Sequence, residues 1–443
     1  MSVLMLLFSS FFNLIWALSS SIEFEEKIAI QNVEAWVGTE QCINAPSEKC
    51  IKKIPNAIIV IKNGLIESIS ENNDVGWQKT NPDGYAVKDG SGLIATIGFF
   101  DIGTSIGLPS ISGTDIMDLE STHSHGHSHN NTASGVSGIQ EERGFARKNI
   151  DDFKPDSSHV KLARRGGVAL ALIRGSGLNG IVCLSDNKEI PGYAEQCSEK
   201  QSISLPWQGG SKGKELWRKW KEDADFYMKN SKDFSLGELH TLSLPFEELE
   251  ILFKAFNGEI PVFVSVSDAK SILDVINLGK EWGMKLILQG VQEGWVVAEK
   301  IAATGYPVLV DSEANLLGGF DSLGATLKNS KIMTEKGVKV IFSSFSSHNL
   351  QRIRFKAGIA WANGLSEGAS FAAITENPAA AIGLINYSGR IEKGMRADIA
   401  LWTNHPFEYK GRLDSLMVGG EWVDLQSRQD YLFEKYRELP VYK

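Results

Sequence analysis

Residues 261–288 read P-V-F-V-S-V-S-D-A-K-S-I-L-D-V-I-N-L-G-K-E-W-G-M-K-L-I-L. The apolar run from Pro261 to Val266 has the length and β-branched content of a buried strand. Asp268 stands where a carboxylate can accept the free N–H groups of a first helical turn. Residues 270–282 then carry apolar side chains at helical spacing, and Lys285 to Leu288 returns to a short buried run. A strand, a helix and a second strand in so short a stretch predict a parallel pair joined by a right-handed crossover.

The same unit recurs on both sides. Gly166 to Ile173 reads as a buried strand, as do Pro307 to Val310 and Val338 to Phe342, and residues 295–304 read as a helix between them. Repetition of this unit over nearly the whole middle of the chain predicts an α/β fold built as a (β/α)8 TIM barrel. The ends differ. Residues 27–36 and 57–70 alternate apolar and polar positions, and Lys62-Asn63-Gly64 is a type I′ hairpin signal. Residues 85–95, 397–402 and 415–423 continue in that style, the last with Gly419-Gly420 at a turn. They predict a small β-sandwich domain built from both chain ends. The organisation expected is a signal peptide at 1–20, an N-terminal β part at 22–96, a barrel at 97–388 and a C-terminal β part at 389–443. Residues 109–150, rich in Ser, Gly, His and Asn, read as a loop inserted into the barrel.

Composition limits function. The 443 residues are 42% hydrophobic and 22% charged, with a formal net charge of −9. A mildly acidic chain lacks the basic face that nucleic acid requires. Residues 1–20 contain a short apolar stretch interrupted by Asn13 and followed by small residues, the shape of a secretory leader; an uncleaved membrane anchor is the other reading. Cleavage leaves no membrane partner and implies an extracellular location. Cys42, Cys50, Cys183 and Cys197 fall in two sequence-local pairs, so Cys42–Cys50 and Cys183–Cys197 are the simplest disulfides behind a leader; four buried thiols are the alternative. Asn130 and Asn386 begin N-x-S/T sequons.

Residues 96–107, T-I-G-F-F-D-I-G-T-S-I-G, resemble the end of the first barrel strand of the amidohydrolase superfamily, a pattern close to P-G-F-I-D-x-H-x-H-x-G. Residues 375–402, T-E-N-P-A-A-A-I-G-L-I-N-Y-S-G-R-I-E-K-G-M-R-A-D-I-A-L-W, resemble that superfamily's last barrel helix leading into the returning β domain. The resemblance implies a barrel with one or two divalent metals at the strand ends, held by histidines and one aspartate, that activate water for hydrolysis of non-peptide C–N bonds. This chain departs from it at every matching position. The strand-one histidines fall on Gly103 and Ser105, the strand-five position on Ser265 or Ser267, the strand-six position on Gly290 or Gln289, and the strand-eight aspartate on Phe345. None offers imidazole or carboxylate to a cation. No cofactor is therefore expected in the barrel.

Three groups remain as weak catalytic candidates: Asp101, Asp268 and His348. His348 follows Ser343, Ser344, Ser346 and Ser347, which suggests a nucleophile–base set but lacks the G-x-S-x-G elbow. A solvated loop histidine is the plainer reading. His123, His125, His127 and His129 can bind Zn²⁺ in a flexible segment, unless the segment is a low-complexity insertion with incidental affinity. Three functions follow: a secreted amidohydrolase-like pseudoenzyme or binding protein with a small-molecule ligand, an active hydrolase with a rearranged site, and a metal-binding protein acting through the histidine-rich loop. Oligomeric state is not legible.

Overall fold

Asn63 and Gly64 both adopt positive φ (51° and 76°), the backbone that a type I′ turn demands. They join β2 (Ile51–Lys62) to β3 (Leu65–Glu71) in antiparallel register. The computed structural model describes residues 27–39, 50–72, 85–108, 144–186, 194–234, 242–314, 316 and 323–437. Residues 1–20, Cys42, the histidines at 123–129 and Asn130 lie outside them.

One eight-stranded sheet comes from both chain ends. Its N-terminal strands are β1 (Lys27–Gly38), β2, β3, β4 (Ala86–Asp89) and β5 (Ile94–Ile97). Its C-terminal strands are β14 (Ile399–Trp402), β15 (Leu413–Val418) and β16 (Glu421–Trp422). The halves meet where β14 pairs antiparallel with β5. They meet again at two turn tips, because Gly64 packs against Gly419 and Gly420 and the Gly64 carbonyl accepts from Ala397 N. A β-carbon on Gly64 would stand 2.6 Å from the Gly419 carbonyl oxygen. Gly64→Ala combines that clash with left-handed backbone, and we expect a loss of about 1–3 kcal/mol, read as a lowered urea midpoint. A loss within about 0.3 kcal/mol would show that the tips are free to part.

The second eight-stranded sheet is the barrel wall, ordered β6 (Phe99–Thr104), β7 (Val168–Ile173), β8 (Asn179–Cys183), β9 (Glu195–Leu205), β10 (Pro261–Val266), β11 (Lys285–Gly290), β12 (Val308–Val310) and β13 (Val340–Phe342). Its neighbours are parallel except around β8, which is antiparallel to both β7 and β9. This departs from the eight identical units expected. The cause is connection length: residues 174–178 alone join β7 to β8, and a parallel crossover needs about a dozen residues. The Cys183–Cys197 disulfide then ties β8 to β9. Cys50 is also disulfide-bonded.

Helices cover the wall. They are α1 (Ser158–Arg165), α2 (Gly210–Phe234), α3 (Phe246–Phe256), α4 (Ala269–Trp282), α5 (Ala298–Ala302), α6 (Asn329–Glu335), α7 (Ile353–Ala362), α8 (Glu367–Ala372) and α9 (Glu376–Ala381), with α10 (Arg428–Tyr436) beyond the sheets. Helix α2, rich in charged residues, was not anticipated; Trp217 and Ala224 on its inner side are fully buried. Residues 144–150, within the segment expected as a loop at 109–150, pack against the barrel. By Asn149 the chain is ordered and buried, with the amide donating to Asn179 Oδ1 at 3.1 Å. Among the described residues no helix is long and apolar enough to cross a membrane.

An aromatic seam joins the two sheets. Phe99 stacks on Trp402, Phe371 meets both Phe99 and Trp36 edge-on, and His405 lies flat on Trp361. His405 Nε2 also pairs with Glu367 Oε1 at 2.8 Å, and that bond is the main reason the Glu367 carboxyl falls to about 2. The barrel therefore stands on a floor of rings whose polar edges are satisfied.

Candidate functional site at the barrel mouth

Side chains along a strand alternate between faces. On β10, Val262, Val264 and Val266 are buried toward the helices, while Phe263 and Ser265 face the barrel axis, Ser265 exposed. An exposed residue on the inner face of a barrel strand means that the mouth is open. Ser265 is in register with Gln289 of β11. Asp101 and Gly103 of β6 point the same way, opposite Ser343 beyond β13.

The first and last strands, β6 and β13, share no strand ladder. Asp101 closes that seam. Fully buried, its Oδ1 accepts from Gly103 N at 3.0 Å and from the Ser343 hydroxyl, and its Oδ2 accepts from Ser344 N at 3.1 Å. Both oxygens are thus spent on the chain itself. Thr104 adds a bond from its hydroxyl to the Ser346 carbonyl at 2.7 Å.

Arg174, the residue immediately after β7, occupies the inner face. Its Nη1 donates to Gln289 Oε1 at 2.7 Å and its Nη2 to Ser204 Oγ at 3.1 Å, while the guanidinium carbon sits 4.1 Å above the Phe263 ring. Burial lowers its pKa to about 10, against the opposing pull of Asp101. It remains a cation at neutral pH. Arg174 was not singled out from sequence, although a charge following six apolar residues, V-A-L-A-L-I, at a strand's C-terminal end was the available signal.

The other charged groups at the strand ends are engaged. Lys356, buried on α7, donates to Asp311 Oδ2 at 2.5 Å, just beyond β12, and lies 3.8 Å from Glu313. Asp268 accepts from Ser271 N at 2.8 Å and caps α4. Glu293 Oε2 accepts from Ala269 N at 2.9 Å. His348 stands on the rim beside His159 of α1, with ring centroids 6.1 Å apart. Its Nδ1 is 3.3 Å from Ser347 Oγ and 3.5 Å from Ser346 Oγ, but Ser346 Oγ already accepts from His348 N and Asn349 N. Desolvation, then the neighbouring His348, lowers the pKa of His159. Asn386 is exposed, and Ser388 of its sequon donates to Asp398 Oδ2 at 2.9 Å.

Residues 247–423 match the family described as Amidohydrolase family. No curated protein sequence matches the chain. Solved structures share the fold over most of the chain. An amidohydrolase from Thermotoga maritima MSB8 is 20% identical, covering 90% of this chain and 99% of its own, at a TM-score of 0.67. The guanine deaminase of E. coli is 13% identical over 91% and 99% at 0.50. The A. niger ochratoxinase is 13% identical over 90% and 95% at 0.51.

The resemblance to that family implies a divalent metal at the strand ends, and the side chains present there do not fit one. A β-carbon on Gly103 would meet the Ser343 hydroxyl and lie 2.9 Å from Ser343 Cβ, so no larger side chain stands there without parting the seam. Gly290 has a φ of 87°, beyond the narrow left-handed region that residues with a β-carbon occupy. Ser105, Ser265 and Ser267 offer hydroxyls, which are poor ligands for zinc. Phe345, at a φ of 50°, places a ring 5.7 Å from Lys356 Nζ where an aspartate is expected. Among the described residues no three His, Cys, Asp or Glu side chains form a group able to hold a metal.

Proposed function

We infer that this protein is an amidohydrolase-fold binding protein that has given up metal-dependent hydrolysis and uses the barrel mouth to hold a small molecule. One observation carries the reading. The carboxylate that survives near the ligand positions, Asp101, is consumed by three hydrogen bonds from the barrel's own seam. A cation placed there would have to break those bonds and would find serine, glycine and phenylalanine around it. The apolar segment at 1–20 and the Cys183–Cys197 disulfide support a secreted protein, since disulfides persist in oxidising compartments. Exposure of Asn386 suits a glycosylated surface.

Hydrolysis through His348 is the second reading, favoured by the 3.3 Å approach of Ser347 Oγ to Nδ1. Among the described residues no carboxylate hydrogen bond orients that ring, so the third member that a serine–histidine base requires is not found there. The histidine-rich loop remains a separate proposal for Zn²⁺ capture.

The test is elemental analysis of untagged protein purified from a secretory host, paired with amide and cyclic-amide hydrolysis assays in added Zn²⁺. We expect less than about one-tenth of an equivalent of bound metal once residues 123–129 are deleted, and no turnover above the blank. A stoichiometric ion retained after that deletion would overturn the reading. Turnover abolished by His348→Ala would replace it with the second.

A further inference from the structure

Arg174 presents an anomaly that the barrel does not resolve by itself. A guanidinium this far inside a protein is ordinarily matched by a carboxylate. Here both of its hydrogen-bond acceptors among the described residues are neutral, Gln289 Oε1 and Ser204 Oγ, and Nε finds no acceptor among them. Asp101 contributes only through space, because its oxygens are directed at Gly103, Ser343 and Ser344. Solvent still reaches Arg174, which is half-buried, and Ser265 beside Gln289 is exposed on the same inner face. The open mouth thus contains a positioned cation without a bonded counter-ion. The Phe263 ring lies 4.1 Å from the guanidinium carbon, and the Ser204 hydroxyl is its one serine contact among the described residues.

We propose that the barrel mouth binds a small organic monocarboxylate, with Arg174 as the anchor for its carboxylate and the hydroxyls of Ser265 and Ser267 as secondary donors. The inference rests on the binding-protein reading above and supplies its ligand class. Planar carboxylates match the fork of a guanidinium in geometry as well as charge. A dianion such as phosphate is disfavoured, because the fixed negative charge of Asp101 lies close to the same cavity. The neighbouring carboxylates do not compete for Arg174: Asp311 is held by Lys356, and Asp268 and Glu293 by backbone N–H groups around the start of α4.

The full chain, titrated by calorimetry and saturation-transfer NMR with acetate, benzoate and N-acetylglycine and with their primary amides, tests this. Expected is saturable binding of at least one carboxylate and none of its amide. Arg174→Gln should weaken that binding by about tenfold or more, with Arg174→Lys between the two. Ser265→Leu, which leaves the arginine network intact, should block the mouth and weaken it similarly. Binding that is equal for acid and amide, unchanged in Arg174→Gln and Ser265→Leu, or absent for every probe overturns the proposal. Carboxylate binding that survives Arg174→Gln but vanishes with a chelator would instead assign the anion to a metal, and so remove the reading beneath it as well.

Discussion

Asp101→Ala should destabilise the fold by about 3–5 kcal/mol, the largest effect of any single substitution at the mouth. The residue is fully buried, and truncation strands three donors at once: Gly103 N, Ser344 N and the Ser343 hydroxyl. Its position amplifies the loss. Where other neighbouring barrel strands are zipped by ladders, β6 and β13 meet through Asp101, the Thr104–Ser346 bond and backbone bonds from Phe100 and Phe342 to residues 373–374, and Asp101 carries three of these contacts. The variant also removes the negative charge that favours the Arg174 cation through space. Asp101→Asn keeps one acceptor but turns an amide toward donors, and should cost about 2–3 kcal/mol. Urea unfolding followed by intrinsic tryptophan fluorescence measures both. If Asp101→Ala shifts stability by less than about 1 kcal/mol, the seam is held by something other than this carboxylate.

Glu376→Gln should act in the opposite direction and only at higher pH. Glu376 opens α9 beneath the barrel, buried against Gly38 of β1, and its Oε2 has no hydrogen-bond donor. Burial pushes its carboxyl up to about 8; nearby Arg390 pulls it down and Glu392 adds to the rise. The folded state therefore keeps its proton where an unfolded chain, with a carboxyl near the ordinary value of 4.5, has released it. This contribution is fully present below the unfolded value. It is lost as pH climbs through the window toward 8, at about 1.4 kcal/mol per unit and up to ~4 kcal/mol in all. Glutamine mimics the protonated form and does not titrate. We expect the variant to match the wild type near pH 4.5 and to exceed it by about 2–4 kcal/mol at pH 8. Parallel stability profiles for the two proteins between pH 5 and 8 would show that Glu376 does not govern the dependence.

Much of this architecture is local, and local physics is legible in a sequence. Asn63-Gly64 specifies a turn because few other residues tolerate positive φ at both positions. Asp268 specifies a helix start because its carboxylate reaches only the next few N–H groups. The β10–α4–β11 unit follows from periodicity alone, and the absence of ligand-type side chains at Gly103, Ser105, Ser265, Ser267, Gly290 and Phe345 needs no coordinates. What remained hidden depends on distant partners. Arg174 and Gln289 are far apart in sequence, as are Asp311 and Lys356, and no spacing rule connects them. The reversal of β8 was written in the brevity of residues 174–178, yet it contradicted the expectation that every strand repeats its predecessor.

From its sequence by itself this protein had a barrel, a sheet shared between the chain ends and no histidine at Gly103, Ser105, Ser265, Ser267 or Gly290. Periodicity, turn chemistry and residue identity act over a few positions along the chain, and they sufficed for that. Only the tertiary structure decided what lies at the strand ends: a carboxylate locked into the closing seam and a guanidinium held among neutral oxygens. Charges and hydrogen bonds are settled by proximity in space, after strands remote in the chain have been brought side by side.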